Sequence, residues 1–460
     1  MYIKRKSEED LHEWQNRATR KPLIIRGARQ TGKSRLVSEY GGQNFKHLVV
    51  LNLEKEPGLK RLFENDDIDK LINEIELIKN VPVIPGQTLL FIDEIQQCPA
   101  AITKLRYFYE EKPDLHVIAA GSLLEFVLEA QEISFPVGRV EFHYLFPINF
   151  EEYLYGAGED KILEHLKTIT HEEKVSSVIH QKIRHQLKDY LLVGGMPEAT
   201  ARFLESRRHK DCEPIWESIV ETFRDDFKKY SRRVNTDNLE LAFQQIPKIM
   251  GQEVNLTKMG QGITGAREMK VALNLLQKGM LMYSVHRIKA LSFPLIPSLR
   301  KHHKMIFLDL GLVQYINNIS SEIVQSENYS SVYKGGFAEQ LVGQEMLPMV
   351  GTHKRPELFF WRRERVEGAA EIDYLYPYKS HLLPIEVKSG KGGALASLHQ
   401  FMHQNKAPFA IRIYDGDLNY ETIKVTLPQM VEVKYNLLSV PLYMIHRLPH
   451  LCEGVSCKIG

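Results

Sequence analysis

A chain of 460 residues is too long for one ordinary domain, so about two to four domains are expected. Its hydrophobic fraction of 43% and charged fraction of 26% are ordinary globular values, which allow each domain to bury a core. The formal net charge is only +2, so the overall charge does not indicate nucleic-acid binding. Any argument for such binding depends on local basic patches.

The cysteines and the apolar segments bear on the expected cellular location of the chain. Cys98, Cys212, Cys452 and Cys457 are scattered without a C-x-x-C pair, so neither a disulfide framework nor a structural zinc site is predicted. Free thiols suit a reducing compartment. The first residues, MYIKRKSEEDLHEW, contain no apolar stretch, and no window of about 18 residues is continuously apolar. A cytoplasmic location without a membrane segment is therefore expected.

Residues 1–150 are predicted to form an α/β domain. Short apolar runs at 23–25, 48–51, 89–92 and 117–120 predict buried strands, and 141–145 is a candidate fifth strand. Helical segments lie between these runs. Strands that are apolar on both faces and are spaced by helices indicate a parallel sheet covered on both sides.

The rest of the chain is predicted to form three further units. Residues 151–235 are rich in Glu, Lys and Leu and predict a helical lid. Residues 236–316 predict a winged helix-turn-helix, because helical segments precede a strand at 280–286 and Met269, Ala272, Leu273 and Leu276 line one helix face. A polar segment, 317–331, is the best linker candidate. Residues 332–460 predict an α+β unit, with a helix near 337–347 and strands near 358–362, 372–376 and 383–388.

The strongest motif is GARQTGKS at residues 27–34, which fits G-x-x-x-x-G-K-[ST] and lies between a predicted strand and a predicted helix. Its glycines let backbone N–H groups and the helix N-terminus face a triphosphate. We expect Lys33 to reach the β- and γ-phosphates and the Ser34 hydroxyl to ligate Mg²⁺; the alternative is a chance glycine-rich turn. The predicted nucleotide-binding residues here are Gly27, Ala28, Arg29, Gln30, Thr31, Gly32, Lys33, Ser34 and Arg35.

A second motif, LLFIDE at residues 89–94, places two carboxylates at the end of a buried strand. Ligands of open α/β sheets bind at that edge. Asp93 is predicted to hold the Mg²⁺ shell, and Glu94 to orient and deprotonate the attacking water. The alternative is a pair of solvated acids at a strand end.

Two further residues are candidates for contact with the γ-phosphate. Ser122 follows the fourth strand and is able to touch the phosphate or its water, although a serine there is equally typical of a helix N-cap. Arg139 is a candidate finger guanidinium, supplied in cis or by a neighbouring subunit, or else a surface arginine.

Taken together, these elements resemble prokaryotic AAA+ ATPases of the AAA_14 type, which carry a C-terminal domain of unknown function 4143. The resemblance spans nearly the whole chain, in the family's order. It is carried by residues 24–94, Gly121-Ser122, VGR at 137–139, LFPINFEE at 145–152, YLLVGGMPE at 190–198, FLDLGL at 307–312, GFAE at 336–339 and IEVK at 385–388.

The resemblance implies an ATPase that uses ATP and Mg²⁺. It also implies that Gly195 and Pro197, in a G-G-x-P element at 194–197, pack the helical lid near the nucleotide. This element stands in place of a clear sensor-2 arginine, which is a departure from ring-forming unfoldases. Whether the chain forms a homo-oligomer stays open.

The C-terminal unit contains a second constellation of charged residues. Glu339 lies on a predicted helix and Asp373 on a predicted strand, whereas Glu386 and Lys388 share one face of the next strand. The pattern looks like the core of PD-(D/E)xK nucleases, in which the acids hold Mg²⁺ and the lysine steers a hydroxide. The alternatives are a solvated Glu–Lys face and a fold that keeps these residues only for binding.

DNA binding is suggested by a predicted recognition helix at 265–278, with Arg267 and Lys270 outward. Winged helices also dock proteins or join domains, and charge runs are often solvated faces. His302 and His303 are expected to be surface histidines. Basic clusters that are able to neutralise phosphates lie at 207–210, 228–229, 232–233 and 300–304.

Three functions are consistent with these motifs. The first is an ATP-driven conformational switch that acts on or with DNA. The second is an ATP-regulated, metal-dependent nuclease. The third is a slow ATPase that serves as a regulatory binding module for a protein partner.

Overall fold

The computed structural model spans the chain, and it describes all residues except 123, 125–135, 231–233, 261, 289–290, 292, 298–302, 320–335, 364–369, 391, 406, 429 and 460. Within these described residues no helix is long and apolar enough to cross a membrane. Cys98, Cys212 and Cys452 are free and buried.

The N-terminal unit is an α/β sandwich around a five-stranded sheet in which every strand pair is parallel, as the sequence predicts. The strand order is β2-β3-β4-β1-β5. The strands are β1 (Leu23–Arg26), β2 (His47–Asn52), β3 (Thr88–Asp93), β4 (His116–Gly121) and β5 (Glu141–Tyr144). The helices are α1 (Ser7–Asn16), α2 (Lys33–Asn44), α3 (Ile68–Lys79) and α4 (Pro99–Glu111).

Alternate residues of the central strands enter two different cores. Leu89 and Phe91 pack with α1 and α2 on one face, whereas Leu90 and Ile92 pack with α3 and α4 on the other. This two-sided burial explains why the strands are continuously apolar rather than alternating. It also fixes the carboxyl ends of β1, β3 and β4 side by side at one edge of the sheet.

A helical segment follows, in the range for which a lid is predicted. It comprises α5 (Phe150–Gly156), α6 (Asp160–Thr168), α7 (Ser177–Val193), α8 (Pro197–Ser206) and α9 (Glu213–Tyr230). Helix α5 begins with a capping box, in which the Asn149 side chain accepts from the Glu152 N–H and the Glu152 carboxylate accepts from the Asn149 N–H. Pro197 starts α8 at a first-turn position that needs no N–H donor.

The predicted winged-helix unit contains three helices and an antiparallel hairpin: α10 (Thr236–Gln245), α11 (Leu256–Gly260), α12 (Ala266–Lys278), β6 (Met282–Ile288) and β7 (His303–Phe307). The face of α12 formed by Met269, Ala272, Leu273 and Leu276 is buried, as its spacing indicates. The hairpin is not a free wing, however. Strand β6 also pairs in parallel with β8, so the hairpin belongs to the C-terminal sheet.

The C-terminal sheet has eight strands in the order β12-β13-β11-β10-β9-β8-β6-β7. One hydrophobic core extends from α5 to this sheet and also includes residues of the N-terminal unit such as Ala28 and Phe146. The strands are β8 (Leu358–Arg362), β9 (Glu371–Tyr378), β10 (His381–Lys388), β11 (Ala410–Tyr414), β12 (Asn419–Thr426) and β13 (Glu432–Pro441). The helices of this part are α13 (Leu310–Asn317), α14 (Gly336–Met346), α15 (Ala396–Gln404) and α16 (Leu448–Ile459).

Candidate nucleotide site and C-terminal carboxylate cluster

The phosphate loop joins the end of β1 to the start of α2 at Lys33. Two of its residues have left-handed backbones, Gln30 with φ 62° and Gly32 with φ 89°. A Cβ atom on Gly27 would lie 2.4 Å from the Leu145 carbonyl oxygen, so this position requires glycine. The strand–loop–helix context that the motif needs is therefore present.

Lys33 is folded back into this loop. Its Nζ donates to the carbonyl oxygens of Gly27 at 3.0 Å and Ala28 at 2.7 Å. Burial lowers the pKa of Lys33 to about 8, an effect that nearby Glu94 and Asp93 partly oppose. The loop thus holds the Lys33 nitrogen near the carboxylates of Asp93 and Glu94.

The two predicted Mg²⁺ ligands lie in direct contact. The Ser34 hydroxyl donates to Asp93 Oδ1 at 3.0 Å, and Asn52 Nδ2 donates to Asp93 Oδ2 at 3.0 Å. Burial raises the pKa of Asp93, against the lowering effect of the Ser34 hydrogen bond. Asn52 ends β2 beside Asp93 in the sheet register, which the sequence analysis missed. Its position at the carboxyl end of a predicted strand was the available signal.

Glu94 lies immediately beyond Asp93 with a left-handed backbone, φ 53°. Gln96 Nε2 donates to Glu94 Oε2 and so orients this carboxylate. Among the described residues, Gln96 Oε1 and Ser122 Oγ are buried polar atoms without a hydrogen-bond partner. A Cβ atom on Gly121 would lie 2.4 Å from Gln96 Oε1, which places Gln96 against the end of β4. Gln96 is a second site residue that the sequence analysis missed.

The G-G-x-P element packs against the phosphate loop. A Cβ atom on Gly32 would lie 3.4 Å from Cγ of Pro197, so Pro197 contacts the turn directly before Lys33. The Gly195 N–H donates to Asp309 Oδ2 at 2.5 Å, and its carbonyl accepts from the Ile148 N–H at 2.7 Å. This arrangement brings the start of α8 to the loop.

The side chains of Arg29, Gln30 and Arg35 contact partners outside the phosphate loop, whereas the binding predicted at these positions depends on the loop backbone. Arg29 Nε lies 2.9 Å from Asp226 Oδ2, and Gln30 Nε2 donates to Thr222 Oγ1 at 3.3 Å. Both partners are on α9. Arg35 is exposed and pairs with Glu39, one turn later in α2. Arg29 and Gln30 therefore join the loop to the helical segment.

Arg5 supports the loop from the N-terminal segment, and the sequence analysis missed it. Its Nη1 donates to the Thr31 carbonyl at 3.1 Å and its Nη2 to the Phe146 carbonyl at 2.7 Å. Its Nε lies 3.1 Å from Glu152 Oε2, and both side chains are 5% exposed. Nothing local in the sequence connects Arg5 to these partners, because all of them are distant in the chain.

Arg139 lies at the wrong edge of the sheet for the predicted finger role in cis. It precedes β5, whose first residue, Glu141, pairs with Leu23 at the start of β1. The phosphate loop follows the other end of β1, roughly 13 Å away at about 3.3 Å per strand residue. Arg139 Nε instead lies 2.9 Å from Glu110 Oε1. A role in trans stays a prediction.

In the C-terminal sheet, the four residues of the nuclease-like pattern converge. Strands β9 and β10 pair so that Ile385 lies opposite Tyr374, which puts Glu386 beside Asp373. Asp373 Oδ2 accepts from the Val387 N–H at 2.8 Å, and Lys388 Nζ donates to Glu386 Oε1 at 2.7 Å.

A fifth residue, Lys304 of β7, stands among the acids. Its Nζ lies 2.9 Å from Glu339 Oε2, 2.5 Å from Glu371 Oε1 and 3.7 Å from Asp373 Oδ1. Burial alone would lower the pKa of Lys304, but these carboxylates outweigh it and raise it. Lys304 is 2% exposed, so its predicted place in a basic surface cluster is wrong.

Acids beside Lys304 and Lys388 are shifted towards their neutral forms. Burial raises the pKa of Glu339 to about 8 and the pKa of Glu386 to about 7. The negative charge of Asp373 is the second cause of both shifts. Within the described part of the chain, no three His, Cys, Asp or Glu side chains are arranged to hold a metal ion. Lys304 and Lys388 pair with these acids instead, so the residues as they stand do not fit the Mg²⁺ that the nuclease pattern predicts.

Basic residues in two of the predicted clusters form ion pairs at the surface. Arg208 Nη2 lies 2.8 Å from Asp211, and Lys228 Nζ lies 2.7 Å from Asp225. Residues 231–233 and 298–302, which include His302, lie outside the described residues. His303 is partly exposed, and burial lowers its pKa to about 4. On α12, Arg267 and Lys270 are exposed, as predicted.

Helix α14 of the C-terminal part reaches the junction of the N-terminal unit and the helical segment that follows it. The two Glu345 carboxylate oxygens accept from the Phe150 N–H at 3.1 and 3.2 Å, and Oε1 also accepts from the Tyr190 hydroxyl at 2.8 Å. Gln344 Nε2 donates to the Tyr190 oxygen at 3.0 Å. Burial raises the pKa of Glu345 to about 8.

This raised pKa gives a pH dependence of stability. Between about pH 4.5 and 8 the unfolded chain loses the Glu345 proton while the folded chain keeps it, so the free energy of unfolding falls as the pH rises through this window. We expect Glu345→Gln, measured by urea unfolding at pH 5 and pH 8, to lose less stability over this range than wild type. Glu432→Gln, at an exposed position, is the control and should match wild type. Equal pH dependence in all three proteins would contradict this account.

The comparisons with known proteins agree with the motifs. Residues 19–154 match the family model of an AAA domain, and residues 334–434 match a domain of unknown function, DUF4143. Residues 184–323 match another domain of unknown function, DUF8612, which spans parts of both the predicted lid and the predicted winged helix. A search of curated proteins finds no match.

Similar solved structures include RuvB of Thermotoga maritima, with 13% identity, coverage of 61% of this chain and 89% of that chain, and a TM-score of 0.29. ORC2 of Aeropyrum pernix in its ADP form has 12% identity, 71% and 96% coverage, and a TM-score of 0.33. Pif1 helicase from Bacteroides, with ADP-AlF3 and ssDNA, has 17% identity, 42% and 50% coverage, and a TM-score of 0.22. Scores this low support no conclusion about function. From its parallel sheet and its family matches, the chain contains an AAA domain followed by a domain of unknown function 4143, as its motifs predict.

Proposed function

We propose that this chain binds ATP with Mg²⁺ at the phosphate loop and hydrolyses it to drive a conformational switch. The observation that carries the proposal is the Ser34–Asp93 hydrogen bond of 3.0 Å, beside a lysine enclosed by the loop. A hydroxyl and a carboxylate in contact form the oxygen pair that holds Mg²⁺ in P-loop proteins. When bound, Mg²⁺ neutralises charge on the phosphate oxygens. Lys33 would turn from the loop carbonyls to the β- and γ-phosphates.

Glu94 is the proposed base for the attacking water. It lies next to Asp93, and Gln96 holds one of its oxygens, so the other oxygen is left to accept a proton. Ser122 Oγ is buried near the end of β4 without a partner among the described residues, which suits a contact to the γ-phosphate or its water. These side chains orient the water for in-line attack.

The contacts of the loop support a switch rather than an isolated hydrolytic site. Pro197 touches Gly32, and Arg29 pairs with Asp226 of α9. A bound phosphate would compete with these contacts for the loop. The contacts of the loop with α8 and with α9 would therefore change together. Since these helices share one core with the C-terminal sheet, the change has a route to the rest of the chain.

The proposal predicts that Lys33→Ala weakens ATP binding by about 10- to 150-fold, the loss expected for a hydrogen bond to a charged group. Isothermal titration calorimetry with ATP and Mg²⁺ measures this change. Lys46→Ala is the matched control, because Lys46 is exposed in the segment before β2, at the opposite edge of the sheet. Unchanged affinity in Lys33→Ala would remove the basis of the proposal.

We further propose DNA as the partner, through exposed Arg267 and Lys270 on α12. The titration is followed by an ATP turnover assay of wild type with and without double-stranded DNA. Turnover that rises with DNA supports a switch acting on DNA. A slow turnover rate that is the same with and without DNA would instead favour a regulatory module for a protein partner. A nuclease function is not proposed, because Lys304 pairs with Glu339 and lies near Asp373, two of the acids in the pattern.

A further inference from the structure

We propose that Lys304 is the resident cation of the C-terminal carboxylate cluster, defined as Glu339, Glu371 and Asp373, and that the wild-type chain binds no divalent metal there. The cluster would bind a lysine ammonium of its own chain in place of Mg²⁺ or Mn²⁺. This inference does not depend on ATP binding or hydrolysis, since none of its residues belongs to the phosphate loop.

The first support is the geometry around Lys304 Nζ. Two carboxylates lie within hydrogen-bond distance, Glu339 at 2.9 Å and Glu371 at 2.5 Å, and Asp373 is 3.7 Å away. An ammonium has three donors and no acceptor, so it satisfies acids on several sides at once. A divalent ion between the same oxygens would need to approach them at about 2.0–2.6 Å, in the volume that the ammonium fills.

The second support is the enclosure of the cluster. A Cβ atom on Gly251, which has φ +72°, would lie 2.8 Å from Glu339 Oε1, so backbone closes one side of that carboxylate. Lys304 Nζ lies 5.4 Å from the centre of the Phe360 ring, which covers it with an aromatic face. The enclosure leaves little room for a hydrated ion beside the ammonium, because Mg²⁺ usually keeps several of its waters.

The third support is charge. Arg362 Nη1 is 3.9 Å from Glu371 Oε2, and Lys388 Nζ is 2.7 Å from the neighbouring Glu386. Cations of the chain itself are thus distributed over the acids that a metal ion would use. A further divalent ion would meet the positive charge of Lys304 at short range, which opposes its binding.

The pairing also explains how the hairpin joins the sheet. Lys304 comes from β7, Glu339 from α14, and Glu371 and Asp373 from β9. The ammonium therefore ties three elements that the sequence analysis assigned to two different units. A buried ion pair of this kind fixes one arrangement of its elements, and removing one partner is costly.

The test is a titration of Mn²⁺ binding in the absence of nucleotide, in which electron paramagnetic resonance measures the free Mn²⁺. Wild type and Asp373→Asn are expected to bind Mn²⁺ identically. Lys304→Met is expected to gain one site with an affinity on the order of tenfold or more above any wild-type binding, together with a Tm that rises with Mn²⁺. This added site should be lost in Lys304→Met/Asp373→Asn.

Lys388→Met is the matched control, since it removes the other lysine while leaving Lys304 in place, and it should gain no site. A wild-type Mn²⁺ site that disappears in Asp373→Asn would overturn the proposal. So would a folded Lys304→Met that gains no site. If Lys304→Met fails to fold, the comparison of wild type with Asp373→Asn still decides, because it needs only proteins that keep the lysine.

Discussion

Replacing Glu94 by glutamine is expected to lower ATP turnover by about 10²- to 10⁴-fold while ATP still binds. Glutamine has nearly the same shape as glutamate but cannot accept the proton of the attacking water. It is still able to pair with Gln96, which contacts Glu94 in the structure. The backbone at this position is left-handed, and both side chains meet the same strain there, so the loop should keep its conformation.

The measurement is steady-state phosphate release at saturating ATP, beside a titration of ATP affinity. Glu54→Gln is the control, because Glu54 is exposed just after β2 at the same edge of the sheet. Its turnover should equal that of wild type. Equal turnover in Glu94→Gln and wild type would refute the role of Glu94 as the base, and loss of ATP binding in Glu94→Gln would point to damage of the Mg²⁺ site instead.

Arg5→Met is expected to lower the free energy of unfolding by about 3–5 kcal/mol. The substitution leaves the Glu152 carboxylate buried without its cation. It also removes the donors to the carbonyl oxygens of Thr31 and Phe146. Since Thr31 lies in the phosphate loop, ATP affinity should fall together with stability.

Denaturant unfolding monitored by circular dichroism gives this value. Lys4→Met is the matched control, because Lys4 is exposed in the same segment and its replacement should change stability by no more than about 0.5 kcal/mol. Arg5→Met/Glu152→Gln should recover part of the loss, since it removes the stranded charge. A loss below about 1 kcal/mol in Arg5→Met would show that Arg5 does not hold the loop.

The N-terminal sheet was predictable because its signals are local. Runs such as 89–92 are buried on both faces, and the motif at 27–34 contains its own turn chemistry. The order of β1, β3 and β4 then brings Ser34 to Asp93 through the common edge of a parallel sheet. The strands and the loop can each be predicted from the pattern of a few neighbouring residues.

The residues that were missed act over long sequence separations. Arg5 contacts the Phe146 carbonyl, and Lys304 contacts Glu371, and neither pair leaves a periodic pattern. The position of Arg139 was left open for a related reason, since its motif does not say at which edge of the sheet it lies. The parallel pairing of β6 with β8 was also hidden, because a strand's side chains specify its buried faces but not its neighbour.

Helix α14 has a practical consequence for dissecting this protein. The Phe150 N–H depends on Glu345, the Phe307 N–H on Gln340 and the Leu310 N–H on Gln344, all with acceptors on this one helix. A truncated chain that stops before Gly336 would orphan these three buried donors, at about 1–3 kcal/mol each. A fragment that ends before Gly336 is therefore a poor one to excise, and enzymology should use the 460-residue chain.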